Sequence, residues 1–538
     1  MLDYRLVFLL LLTGMSLGVR LLQPFRWAFA SILQPLLVIA AVAYALVTAD
    51  GDLALLSGWC LFLFFHVPAI IANRQIHKAL SSMDIAALES WSRLLPWLNW
   101  GPPGQFWQDV YMSYALFAQE KYEEALALLS KWENARDLPR PLASVIPQYR
   151  LFGEALLWHW QEVVDGFEKL RFGRTKAAPM LYLIACRGYL ELGQMHKAGE
   201  CLKQAHFDES IYPLDSLAVN LLPYFALNGE RVYVDRIISV INQTNSHFPQ
   251  ALKLLWLGRC LQREGLAQEA SESLVKAKEL APTPLVAKRI EQAMAASCSR
   301  VEPDSQVPDI WRLFKRAAFI QEILSPRRKS PIVNCLIIAN ILVFISSQSF
   351  LNALGINIDT PISAYNFGTS YQAVIEKGQY WRLLTYLFYH NDILHIGSNL
   401  VGLYVFGRIA ENIFGSTRFL GIYFVGGVLS GLAHDFLSPH QLAVGASGAI
   451  QAVFAACAAG IYKLRDTLPA SLRGRYLGFM SGIAIFQTVL DRFIPAIAGF
   501  AHLGGLISGL ALGFVTAGRN PDSLDSLDID GTQKFVDG

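Results

Sequence analysis

The sequence predicts an all-α, polytopic membrane protein: about three N-terminal transmembrane helices, an α-solenoid-like soluble region and a C-terminal bundle of six spanning helices. Three observations carry the prediction. Of 538 residues, 53% are hydrophobic and only 16% charged, against about 25% charged in a soluble globular chain. Apolar stretches near the ~20 residues that a spanning helix needs cluster at both ends. Between them lies a more polar region with helical patterning and an internal repeat. The charge balance, 45 Lys+Arg against 43 Asp+Glu, leaves no basic footprint for a nucleic-acid partner. Seven scattered cysteines without metal spacing fit reduced thiols better than a disulfide framework.

Residues 1–72 hold apolar stretches at 5–22, 27–48 and 53–72. The first reads as an anchor, because no small-residue cleavage site follows it. Arg20 and Arg26 flank one connection and Arg74 and Lys78 follow the third stretch, whereas Asp50 and Asp52 occupy the other connection. The excess of basic residues on cytoplasmic loops then puts the N-terminus outside and residue 73 onward in the cytoplasm.

Residues 73–325 contain five similar segments: "EKYEEALALL", "HWQEVVDGFEKL", "GQMHKAGECLKQA", "GERVYVDRIISVI" and "GLAQEASESLVKA". A small residue recurs at Ala125, Val164, Ala198, Val234 and Ala270, at intervals of 39, 34, 36 and 36. This pattern resembles the tetratricopeptide repeat, although that family's first-helix signature is mostly missing and an irregular helical bundle is the competing reading. The resemblance implies a solenoid whose concave face binds a protein or peptide ligand. "SPRRKSP" at 325–331 breaks any helix and marks a boundary.

Residues 326–517 carry six apolar stretches, near 331–349, 394–413, 417–436, 443–463, 474–490 and 496–517, ahead of a polar tail at 518–538. Alternating the connections puts ten basic residues inside and three outside, a self-consistent topology. The outer connection from about 350 to 393 is long enough to be functional or structured.

Polar residues in these stretches form three constellations. In "GASG", Ser447 stands between Gly445 and Gly448 at a helix start, where unpaired N–H groups can receive an oxyanion and the glycines admit a substrate backbone. A lone serine in such a helix ordinarily just bonds its own backbone. In "HNDILHIGSNL", His395 and Asn399 share a helix face. Two histidines, His390 and His395, with Asp392 nearby, raise zinc as a reading, but no third ligand with metal spacing is evident, so neither a metal nor another cofactor is implied. In "AHLGGLISGLALG", His502 is followed by Gly505, Gly509 and Gly513 on its own face. That face predicts close contact with the helix after Ser447, which offers Ala452, Ala455, Ala456 and Ala459. His502 could then take the Ser447 proton. Asp435 and Asp491 fall at helix ends, so a Ser–His dyad is expected, with packing rather than a carboxylate orienting the imidazole.

Taken together, 331–517 resembles the rhomboid family of intramembrane serine proteases. "GASG" resembles its GxSG, which implies Ser447 as nucleophile; "AHLGGLISG" resembles AHxxGxxxG, which implies His502 as base. "HIGSN" resembles HxxxN, which implies oxyanion contacts from His395 and Asn399. "WR", Trp381 and Arg382, resembles an element of the family's membrane-embedded loop, and Glu411 resembles an acidic residue bracing that loop and the second helix. Gln451 departs from the aromatic residue that many members place beside the histidine, and its amide could bond the imidazole instead; Tyr386 stands where some members have histidine.

The implied activity is endopeptidase cleavage of transmembrane protein substrates near the outer surface of a bilayer. The fused N-terminal region is consistent with a prokaryotic plasma membrane and a cytoplasmic repeat domain. The rivals are a non-catalytic rhomboid-like binder of transmembrane clients and a helical-repeat scaffold anchored in the membrane.

Overall fold

The computed structural model describes Thr13 and residues 25–47, 51–324, 330–347 and 364–516, apart from interruptions at 134, 136–137, 144, 172–178, 206–213, 245–246, 466 and 494–497. The expected span at 5–22 (save Thr13), residues 325–329 of the boundary motif, the start of the 350–393 connection and the tail at 518–538 lie outside the described residues. Every regular element described is helical, and one antiparallel bridge pairs Thr369 with Ala443. Two compact units divide the described chain between Phe314 and Lys315. The division falls within helix Val307–Leu324, upstream of the boundary expected at 325–331.

In the first unit, helices Phe25–Val47 and Gly51–Ser82 pack Val38 and Val42 against Leu61, Phe62 and Phe65. The five repeated segments fall on helices Tyr122–Glu133, Trp160–Arg171, Met195–Gln204, Arg231–Thr244 and Ala267–Glu279. Their small residues, Ala125, Val164, Ala198, Val234 and Ala270, are all buried, because each sits where its helix meets the preceding one. The turn before each helix also repeats. Glu120, Trp158, Gly193, Gly229 and Gly265 all have φ between 60° and 82°. The next N–H reaches back five residues each time, from Lys121 to Leu116, His159 to Glu154, Gln194 to Tyr189, Glu230 to Phe225 and Leu266 to Leu261. Such a left-handed residue closes the spare carbonyls of one helix and reverses the chain into the next. Glycine makes this turn without strain at three of the five positions.

An aromatic and guanidinium cluster buttresses this unit. Arg187 lies 3.9 Å over the Trp256 ring, Arg289 lies 5.5 Å over Trp158, and Arg259 bonds Glu191 at 2.7 Å. Burial alone would raise the Glu191 carboxyl, but the attraction of Arg187 and Arg259 outweighs it and brings the group down to about 2 from 4.5.

The second unit contains helices Pro331–Ile345, Ile393–Gly402 continued through a π-turn into Arg408–Phe414, Ser416–Leu437, Ser447–Lys463, Ala470–Phe493 and Gly499–Val515. Ser447–Lys463 is central: Ala449, Val453, Phe454 and Cys457 are buried among Leu387, Leu403, Phe414 and Tyr423. Ser416–Leu437 alone among the described helices is long and apolar enough to cross a membrane by length and composition, and Pro331–Ile345 and Gly499–Val515 are apolar but shorter. On that criterion one of the six expected spans is met; Pro331–Ile345, Ser447–Lys463 and Gly499–Val515, at 15, 17 and 17 residues, fall short in length.

Because the Glu191 carboxyl is depressed on folding, its stabilisation is complete above the unfolded value near 4.5 and is lost as pH falls towards 2. Glu191→Gln should destabilise the first unit by about 3 kcal/mol at neutral pH and flatten the pH dependence across that acid window. Urea unfolding of the full chain at several pH values checks this; unchanged acid sensitivity in the variant would contradict it.

Candidate active site

The chain enters Ser447–Lys463 through a constrained turn. Ala443 is pinned by two backbone bonds to Thr369 at 2.9 Å, and the Gly445 N–H donates to Tyr386 O at 2.8 Å. Gly445 has φ of +118°, a conformation that glycine alone adopts readily, so the helix starts at Ser447 and not earlier in the apolar stretch. The Tyr386 hydroxyl donates to Gly427 O at 2.6 Å, fixing the carbonyl that holds Gly445. Gly448 is required by space: a methyl group there would run into Ser430 Oγ, which itself donates to Ala501 O at 2.7 Å.

The glycine face of Gly499–Val515 lies against the serine helix. A methyl on Gly505 would strike Gly448 O, one on Gly509 would lie 2.5 Å from Ala452 Cα, and one on Gly513 would lie 2.8 Å from Ala456 Cα. Backbone therefore meets backbone along two helical turns. At the top of this seam His502, 6% exposed, brings Nε2 to 2.8 Å from Ser447 Oγ.

The structure corrects the expectation that no carboxylate orients the imidazole. Asp491 Oδ2 lies 2.9 Å from His502 Nδ1. Helix Ala470–Phe493 runs further than its apolar stretch, and Gly499, whose methyl would lie 3.1 Å from Asp491 Cβ, lets the following helix start directly beside it. Both ring nitrogens of His502 are thus engaged, so Gln451 does not bond the imidazole; its Cβ lies 3.1 Å from a methyl position on Gly505.

His395 and Asn399 reach the other side of the serine turn. Asp392 caps their helix by accepting from the His395 N–H at 3.0 Å. The Asn391 N–H approaches His395 Nδ1 at 3.5 Å, which leaves the ring proton on Nε2. That nitrogen lies 2.6 Å from a methyl position on Gly445, and Asn399 Nδ2 lies 3.8 Å from the same position. Asn399 Nδ2 also donates to His395 O at 2.9 Å, locking the pair together. Fully buried His390 takes the Ala446 N–H on Nε2 at 3.4 Å. Sequence reasoning treated His390 only as a metal candidate; among the described residues no group of His, Cys, Asp and Glu is arranged to hold a metal ion.

Two flanking residues act in different places. Arg382 bonds the carbonyls of Tyr365 and Gly368 at 2.8 and 2.9 Å and lies 4.9 Å over Trp381, holding the connecting segment together. Among the described residues, Glu411 makes no bond to that segment. Its carboxylate accepts from the Ile332 and Val333 N–H groups and from Ser416 Oγ, at the start of Pro331–Ile345. An anion at exposed helix N–H groups explains the position.

A branched side chain at Gly509 has no room on this seam. Gly509→Val should destabilise the second unit by about 1–3 kcal/mol or more, and thermal unfolding in detergent reads it; an unchanged midpoint would argue against backbone contact.

A family model described as "Rhomboid domain" matches residues 377–519. The chain is 33% identical over 172 residues to rhomboid protease GluP of Bacillus subtilis, covering 31% of this chain and 32% of GluP. It is 30% identical over 145 residues to RHOMBOID-like protein 6, mitochondrial, of Arabidopsis thaliana, covering 27% and 46%. YdcA of Bacillus subtilis, assigned to the same family in its name, is 30% identical over 149 residues, covering 27% of this chain and 72% of YdcA. The chain thus spans 32% and 46% of the length of the first two relatives. Domain match and relatives agree on one grouping: the chain belongs to the rhomboid family of membrane proteins.

Proposed function

We propose that the chain is an intramembrane serine endopeptidase that cleaves transmembrane proteins at or just inside the outer membrane surface. The 2.8 Å contact between His502 Nε2 and Ser447 Oγ carries the proposal, since a nucleophile within hydrogen-bond reach of its base is the requirement for acyl transfer. A substrate helix enters from lipid and unwinds locally. Ser447 Oγ attacks the exposed carbonyl as its proton passes to His502 Nε2. The carbonyl oxygen becomes an oxyanion facing the Ser447 N–H, His395 Nε2–H and the Asn399 amide, while the Ala446 N–H is occupied by His390. Collapse breaks the C–N bond, and His502 returns the proton to the leaving amine. Water, deprotonated by His502, then hydrolyses the serine ester.

Gly445 and Gly448 keep the turn open and close-packed, Gly505 and Gly509 hold His502 in place, and Trp381, Arg382 and Glu411 brace the surroundings. Gln451 pads the seam. In this reading the second unit crosses the bilayer six times, and about three more spans precede a cytoplasmic solenoid of tetratricopeptide type. The repeated left-handed turns and buried small residues support that solenoid; its ligand is a protein or peptide that recruits or restrains substrates. A prokaryotic plasma membrane is the proposed location.

A fluorophosphonate probe should label detergent-solubilised wild type and fail to label Ser447→Ala or His502→Ala. Absence of labelling in folded wild type would point to a client-binding protein without catalysis. Asn399→Ala should slow substrate cleavage by about 10²–10³-fold with little change in thermal stability.

A further inference from the structure

We propose that Asp491 is a positioning residue that holds His502 in its Nδ1–H tautomer, and that Gln487 holds Asp491 in turn. The inference rests on the serine-protease reading and deepens it, since the machinery becomes a chain of four side chains where the motifs imply two.

Neutral imidazole carries one proton, on Nδ1 or on Nε2. Only the Nδ1–H form leaves a lone pair on Nε2 for the Ser447 proton. The Asp491 carboxylate accepts hydrogen bonds and donates none, so at 2.9 Å it selects that form. Both side chains are more than nine-tenths shielded, at 8% and 9% exposure, so the pairing is little weakened by water. The second carboxylate oxygen is also committed: Gln487 Nε2 donates to Asp491 Oδ1 at 2.7 Å, one turn back on the same helix. When His502 gains the serine proton, the carboxylate stabilises the new positive charge.

Other ionisable groups face this ring from each packed helix. His395 and His434 lie within electrostatic range of His502. Asp435, next to His434, accepts from Thr369 Oγ1 at 2.6 Å and so faces away. Asp491 is the carboxylate that meets the imidazole directly.

Gln487 makes the proposal sharply testable. In Asp491→Asn, with the Gln487 amide in its present orientation and Nε2 donating to Oδ1, the new NH₂ faces His502 Nδ1. Nδ1 becomes an acceptor, the ring proton moves to Nε2, and the lone pair facing Ser447 is lost. Adding Gln487→Glu turns the asparagine amide over, because a carboxylate now accepts its NH₂. The amide oxygen then faces His502 and restores the Nδ1–H tautomer.

Fluorophosphonate labelling rates and histidine ¹⁵N NMR on the full-length protein read both steps, with His502→Ala used to assign the ring. Expected are an Nδ1–H signature in wild type, an Nε2–H signature and a loss of about 10²–10⁴-fold in labelling for Asp491→Asn, and partial recovery of both in the double variant. Thermal unfolding close to wild type verifies that the variants fold. Labelling of Asp491→Asn within about threefold of wild type, or a loss without a change of tautomer, overturns the role of Asp491 and leaves the protease reading standing. A wild type that fails to label overturns both.

Discussion

Ser447 and His502 are 55 positions apart in the chain, and what brings them to hydrogen-bond distance is missing bulk between two helices. Gly505, Gly509 and Gly513 allow the backbone of one helix to rest on Gly448, Ala452 and Ala456 of the other. Helices in lipid gain little hydrophobic energy from meeting, so tight van der Waals contact has to supply the attraction. The same contact sets the rotation of the two helices, since Gly505, Gly509 and Gly513 all face the partner backbone. The proposed pair of nucleophile and base needs that rigidity more than it needs affinity between the helices.

The polar groups around the seam are arranged on the same principle. Tyr386 clamps Gly445 with its carbonyl and Gly427 with its hydroxyl. Ser430 reaches across to Ala501 just before the histidine, and His390 takes the Ala446 N–H just before the serine. A buried polar group without a partner is costly, so each of these bonds ties a functional residue to a neighbouring helix. The turn before Ser447 is thereby held open at Gly445 before any substrate arrives. Donors already aimed at a developing charge need not reorganise during the reaction.

Much of this was readable from spacing. Residues three, seven and eleven places after His502 must share its face, and Ala452, Ala455, Ala456 and Ala459, three or four apart on the serine helix, supply the complementary surface. Tandem small residues marked the buried faces of the repeated helices for the same geometric reason. Asp491 was not readable, because its approach depends on where one helix ends and the next begins around Gly499, and apolar stretches define ends poorly. Glu411 was misplaced because a carboxylate that caps another helix leaves no local pattern; its partners, Ile332 and Val333, are far away in the chain. Of the six expected spans one meets a length-and-composition criterion, because the helices formed in three of the other stretches, Pro331–Ile345, Ser447–Lys463 and Gly499–Val515, are shorter than 18 residues.

The central claim is that Ser447 and His502 face one substrate carbonyl together. A peptidyl chloromethyl ketone tests it directly, because the serine must add to the ketone before the histidine is alkylated. Peptide mass spectrometry of the full-length protein should find one adduct on His502 that disappears in Ser447→Ala. An adduct that persists without Ser447, or none at all in folded wild type, would contradict the shared site.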